Sequence, residues 1–168
     1  MARKKTGKRK SIPWNKGRTV GKREPLTRTQ VTRIKKQLAK RGVAGLKDLA
    51  LFLTAIDTML AGPDLLGLRV KDVRKRTRVM RDTVEVEIGG SGEIARCTLS
   101  QATMEVLEQW IDHSTKKANN FLFTGQIRKE SKPLSTRQYR RLVKDWIIGI
   151  GLDDSTYGTV SLRRTRAV

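Results

Sequence analysis

The chain has 168 residues, 37% of them hydrophobic, and carries 37 Lys/Arg against 16 Asp/Glu for a net charge of +21. That length fits one domain with a core of ordinary size, and the charge points to a polyanionic partner, with nucleic acid favoured over an anionic membrane. No run of about 18 apolar residues spans a bilayer, no apolar stretch follows the basic start as in a secretory signal, and Cys97 alone supports no internal disulfide framework.

Residues 1–24 form a zone of their own, with ten Lys/Arg, one acid (Glu24) and scattered Gly7, Pro13, Gly17 and Gly21. The absence of apolar periodicity reads as a disordered basic arm that orders on a phosphate backbone. A merely solvated tail is the bland alternative. Lys16 and Arg18 are its candidate DNA contacts, and Trp14 either stacks on a base or pins the arm to the domain. A single domain is expected over 25–168.

Helical signals begin with Thr27-x-x-Gln30, a capping box, followed by Val31, Ile34 and Leu38 up to Gly42. A second helix is expected with Leu46, Leu49, Leu53, Ile56 and Leu60 on one stripe, ended by Gly62-Pro63. A short helical turn continues through Asp64-Leu65-Leu66. The period then shifts to two: Thr83 to Ile88 alternates, Gly89 to Gly92 turns, and Glu93 to Leu99 returns, with Val79 and Met80 as a candidate third strand. Ser100 caps a helix carrying Met104, Leu107, Trp110 and Ile111. Phe121 to Phe123 reads as a short buried stretch. Ser135-x-x-Gln138 opens a helix with Tyr139, Leu142, Val143, Trp146, Ile147 and Ile150 inward. The fold class is therefore α+β, a mainly helical body with a small three-stranded antiparallel sheet on one edge.

Four strings then draw attention: Pro13-Trp14-Asn15-Lys16-Gly17-Arg18, Leu49-Ala50-Leu51-Phe52, Leu134 to Tyr139, and Tyr157-Gly158-Thr159-Val160-Ser161-Leu162-Arg163-Arg164. In this order, around the hairpin, they resemble the catalytic domain of the tyrosine recombinases, the phage integrase family, over most of residues 26–168. The resemblance implies a fold whose C-terminal helices, with the nucleophilic tyrosine, lie beyond Val168, so a C-terminally truncated domain with exposed apolar surface is expected.

In that family a tyrosine attacks the DNA backbone and leaves a 3′-phosphotyrosine. Two arginines stabilise the phosphate, a hairpin lysine protonates the leaving oxygen, and histidine-like groups assist. Carried over by position, the first arginine becomes Ala61, the lysine Gly90 and the boxed histidine Val160, while Arg163 remains. Glu93 adds the wrong sign beside the missing lysine. The resemblance thus implies DNA integration and recombination as the ancestral role, and a catalytically dead remnant of a mobile element as the present one. Arg137, Arg140, Arg141 and Arg164 join the candidate DNA contacts, and the run Lys71, Arg74, Lys75, Arg76 and Arg78 is read as a loop of generic affinity.

The remaining residues read plainly. Tyr139 and Tyr157 are structural, Trp110 and Trp146 belong to the core, His113 is a surface histidine, and no cluster has metal-ligand spacing. No cofactor is expected, and the site of action is the cytoplasm, on the nucleoid when bound to DNA. Two alternatives stay open: a regulatory partner that poisons an intact recombinase protomer, and a general basic RNA-binding protein, though exposed aromatics for stacking are scarce.

Overall fold

The computed structural model describes residues 23–125 and 132–166. Lys16, Arg18, Trp14 and the rest of the expected arm up to residue 22 lie outside the described residues.

The first helix, α1 (Arg28–Ala39), starts where its capping box stands: Thr27 accepts from the Gln30 amide while Gln30 reaches back to the Thr27 amide. Ile34 and Leu38 are fully buried. Helix α2 (Val43–Thr58) runs through the middle of the molecule and packs on α1, on α5 (Gln101–Ser114) and on α7 (Thr159–Thr165). The single inward stripe expected from its leucines is only one flank of what is buried. Ala50, Leu51, Phe52 and Ala55 lie deepest, because neighbours cover the helix on several sides. Thr54 and Thr58 tolerate that burial by returning their hydroxyls to the carbonyls of Ala50 and Thr54, both at 2.7 Å.

Helix α2 also stops earlier than expected. Met59 adopts a left-handed conformation (φ 55°) and closes the helix at Thr58, so Leu60 lies past its end. Gly62-Pro63 terminates nothing; it opens α3 (Gly62–Leu66), with proline in the first turn where its missing N–H costs no bond. A further short turn, α4 (Val70–Val73), is capped by Asp72, which accepts from the Arg69 amide at 2.7 Å.

The sheet has two strands rather than three. β1 (Thr83–Glu87) pairs antiparallel with β2 (Ile94–Thr98), Val84 facing Cys97 and Val86 facing Ala95. Val79 and Met80 fail to extend it: Met80 makes one isolated bridge, back to Arg74 in its own segment, and so closes a separate small hairpin. Phe121 likewise bridges Arg69, and Leu122 and Phe123 are fully buried beneath α5, as their apolar run implied.

Helix α6 (Thr136–Gly149) again follows its capping box, Ser135 with Gln138, and buries Tyr139, Val143, Trp146 and Ile147. Trp146 meets Phe52 of α2 edge-on at 5.7 Å between centroids, a contact worth about 1 kcal/mol beyond the area it buries. The architecture is thus a mainly helical body around α2, with a two-stranded antiparallel hairpin at its edge.

Candidate phosphate site and cationic surface

Three elements meet where α2 ends. The left-handed turn at Met59 directs its carbonyl outward, and Arg163 of α7 donates Nε to it at 3.3 Å. Two residues on, Ala61 caps α3 with an extended backbone (φ −64°, ψ 153°). Gly62 then lies against α6: a Cβ there would stand 3.5 Å from the Tyr139 ring and 3.8 Å from Thr136. Arg163, Ala61 and the start of α6 therefore share one corner of the molecule.

Val160 precedes Arg163 by three residues on α7, a spacing that puts both on one side of the helix, and it is 38% exposed. The hairpin turn is drawn to the same corner, because the Gly89 amide donates to Asp64 of α3 at 3.1 Å. Gly90 follows with φ 70° and open space around a would-be Cβ. Acidic groups crowd this turn. Glu87 accepts from the Gly92 amide at 2.9 Å, and Glu93 stands exposed beside it. Contacts of adjacent residues thus tie Arg163 to the end of α2 and the hairpin turn to α3, and of Ala61, Gly90, Val160 and Arg163 only Arg163 carries charge.

The charges on α6 divide between two clefts. Arg140 and Lys144 border one of about 400 Å³, shared with Arg23, Asp154, Tyr157 and Val160, which adjoins the Arg163 corner. Arg141 borders another, with Arg41, Lys47, Asp48 and Asp145, so its surroundings include two acids. Arg137 is exposed on the first turn of α6. Lys144 is held by Asp154 at 2.8 Å, and that hydrogen bond pushes its ammonium above the usual lysine range. Arg140 thus shares a cleft with Val160, whereas Arg141 borders a different one.

Arg164 is turned away from the corner and donates to the Arg23 carbonyl at 2.9 Å. Arg23 itself is a residue the sequence did not flag. Its guanidinium donates to the carbonyls of Asp154 (2.7 Å), Ser155 and Tyr157 (3.3 Å), while the Glu24 amide bonds Thr156. Leu26 completes the seam by donating its amide to Thr165 of α7 at 3.1 Å. The segment entering α1 is therefore stitched onto the loop that leads into α7. Arg166 closes the other side, donating to the carbonyls of Asp57 and Thr98. Only a composition shift could have hinted at Arg23, since its partners are backbone atoms more than 130 residues away in sequence.

The tyrosines have structural surroundings. Tyr139 is buried, and burial drives its phenol well above the usual range, with Arg163 pulling slightly the other way. Tyr157 accepts from the Gln30 side chain at 3.4 Å. Trp110 donates to the Leu122 carbonyl at 2.9 Å. Among the described residues, no group of three or more His, Cys, Asp or Glu side chains is placed to hold a metal ion, and no helix is long and apolar enough to cross a membrane.

Comparison with known proteins places this geometry. The model of the phage integrase family matches residues 24–168. No curated protein matches the chain. Among solved structures, the XerH site-specific recombinase bound to its difH substrate superposes with a TM-score of 0.66 at 18% identity, over 85% of this chain and 41% of that one. The XerA recombinase gives 0.67 at 17% identity, over 85% and 48%. Lambda Integrase bound to DNA gives 0.63 at 18%, over 88% and 50%. At such identities the likeness concerns the fold, and the chain spans half or less of the length of each of these structures.

Proposed function

The chain belongs to the phage integrase family, and on that premise we propose that it binds duplex DNA along the phosphate backbone without cutting it. The fold is that of a tyrosine recombinase catalytic domain, and the solved relatives XerH and Lambda Integrase were captured on DNA. The observation that carries the reading is the corner where α2, α3, α6, α7 and the hairpin meet. It keeps its frame, yet three of its four family positions hold Ala61, Gly90 and Val160.

Strand cleavage spreads negative charge over a phosphate, and fixed cations lower that barrier. Losing one such donor typically costs about 10² to 10³ in turnover. With the first arginine, the hairpin lysine and the boxed histidine all replaced, neither the charge nor the departing oxygen finds its partner. Arg163 alone supplies attraction, which suits binding. Arg137, Arg140 and Arg164, with Lys16 and Arg18 of the N-terminal segment, are the proposed backbone contacts; Arg141, facing acids, is the weakest of the set.

Two measurements test this. Incubation with a nicked suicide duplex should yield no covalent protein–DNA adduct on a denaturing gel; an adduct overturns the inactive reading. Arg163→Gln should weaken duplex binding and reduce the slope of log Kd against log salt by about one, with little change in melting temperature because the side chain is exposed. Unchanged affinity would remove Arg163 from the interface.

A further inference from the structure

The basic run after α4 is not the loose loop its composition suggests. The Lys75 amide donates to the Val79 carbonyl at 2.8 Å, the Arg78 amide returns to Lys75 at 2.9 Å, and the Arg81 amide reaches Val73 at 2.8 Å. With the Arg74–Met80 bridge, these bonds close a tight finger over residues 73–81. Arg78 holds the turn in a left-handed conformation (φ 65°). Arg74, largely covered, fastens the base to α5 through Asp112 at 2.6 Å.

Arg76 and Arg78 carry the uncompensated charge of the tip, while Lys75 also borders the acid-bearing cleft below it. Lys75, Arg76 and Arg78 are exposed, and no ion pair among the described residues engages them. The cleft of about 710 Å³ beneath the finger differs: there Lys71, Lys75 and Arg81 face Asp72, Asp82 and Glu85, so signs balance and the cleft itself attracts no anion. On α6, by comparison, Lys144 is already occupied by Asp154.

The finger also stands apart from the Arg163 corner. Helix α5 begins at the corner's side, where the Ser100 amide bonds Asp57 near the end of α2, and reaches Asp112 twelve residues later. At 1.5 Å per residue this separates the two places by about 18 Å along the helix, roughly five base-pair steps at ~3.4 Å each.

We propose that Lys75, Arg76 and Arg78 form a second contact for the phosphate backbone of duplex DNA, independent of the Arg163 corner. Three cations on a closed hairpin lose little freedom on meeting phosphates, so each retains most of its attraction. The inference rests on the reading that this chain binds duplex DNA.

The test compares three full-length proteins by salt-resolved binding to one duplex: the parent, Lys75→Gln/Arg76→Gln/Arg78→Gln, and a charge-matched control, Arg28→Gln/Lys36→Gln/Lys40→Gln, on α1 and its C-cap. The finger variant should lower the magnitude of the salt slope by about two to three and the affinity at least tenfold, and the control should change the slope by less than about one. Equal losses in both variants would overturn the second contact while leaving DNA binding intact. A parent that binds no duplex would overturn both readings. Circular dichroism and melting confirm that each variant folds, and Arg76→Gln alone, at the exposed tip, gives the same comparison with a slope change of about one should the triple variant melt early.

Discussion

Ala61, Gly90 and Val160 differ in how readily their backbones would accept a charged side chain again. Ala61 is extended and half-exposed, so Ala61→Arg adds a cation beside Arg163 without strain. It should leave the melting temperature near that of the parent and steepen the DNA salt slope by about one. Gly90 at φ 70° has room for a side chain but the wrong handedness for one. Gly90→Lys should therefore lose about 1–2 kcal/mol in chemical denaturation. Tyr139 provides a pH signature at the same corner. Its phenol ionises at higher pH in the folded chain than in the unfolded one, because burial disfavours the phenolate. Its contribution is complete below the unfolded value of about 10 and declines as pH rises from there toward the folded value, since the unfolded chain releases the proton first. Melting temperature should drop above about pH 10, and Tyr139→Phe should flatten that drop.

Among the elements, the seam between residues 23–26 and the approach to α7 has the clearest energetic consequence. Arg23→Ala would leave the carbonyls of Asp154, Ser155 and Tyr157 without their shared donor. A loss of about 1–3 kcal/mol in urea denaturation is expected, while Arg23→Lys, with its point charge and three donors, should recover only part of it. An unchanged midpoint would show the seam to be ornamental. The elements also show what local sequence can specify. Helices α1 and α6 were legible because their caps are self-contained: Thr27 with Gln30, and Ser135 with Gln138, need no distant partner. The end of α2 was not, because Met59 adopts a conformation that no glycine announces. Nor was the isolation of Met80, which with Val79 suggested a third strand but whose pairing is decided by the closed finger. For the candidate site, Ala61, Val160 and Arg163 were singled out by motif alone, whereas Arg23 works through loop carbonyls that any residue type would present.

At the scale of the molecule, the net charge of +21 makes ionic strength the decisive variable. Arg137, Arg140 and Arg163 together predict a log–log salt slope of about −3, and the finger should steepen it further. A slope near zero in a fluorescence-anisotropy titration would argue against backbone binding altogether. Contacts to phosphate alone carry no sequence information, so backbone binding through these arginines should discriminate little between duplex sequences.

The tether from Arg163 to the carbonyl of Met59 bears on the thermodynamics of whatever the corner receives. A guanidinium bonded through Nε is restrained in part, and its outer nitrogens keep their donors for a guest. An arriving anion would find that side chain partly ordered in advance. Calorimetry should then register a smaller entropic penalty at this arginine than at a freely swinging lysine, and freeing the mooring would surrender that advantage without altering the charge.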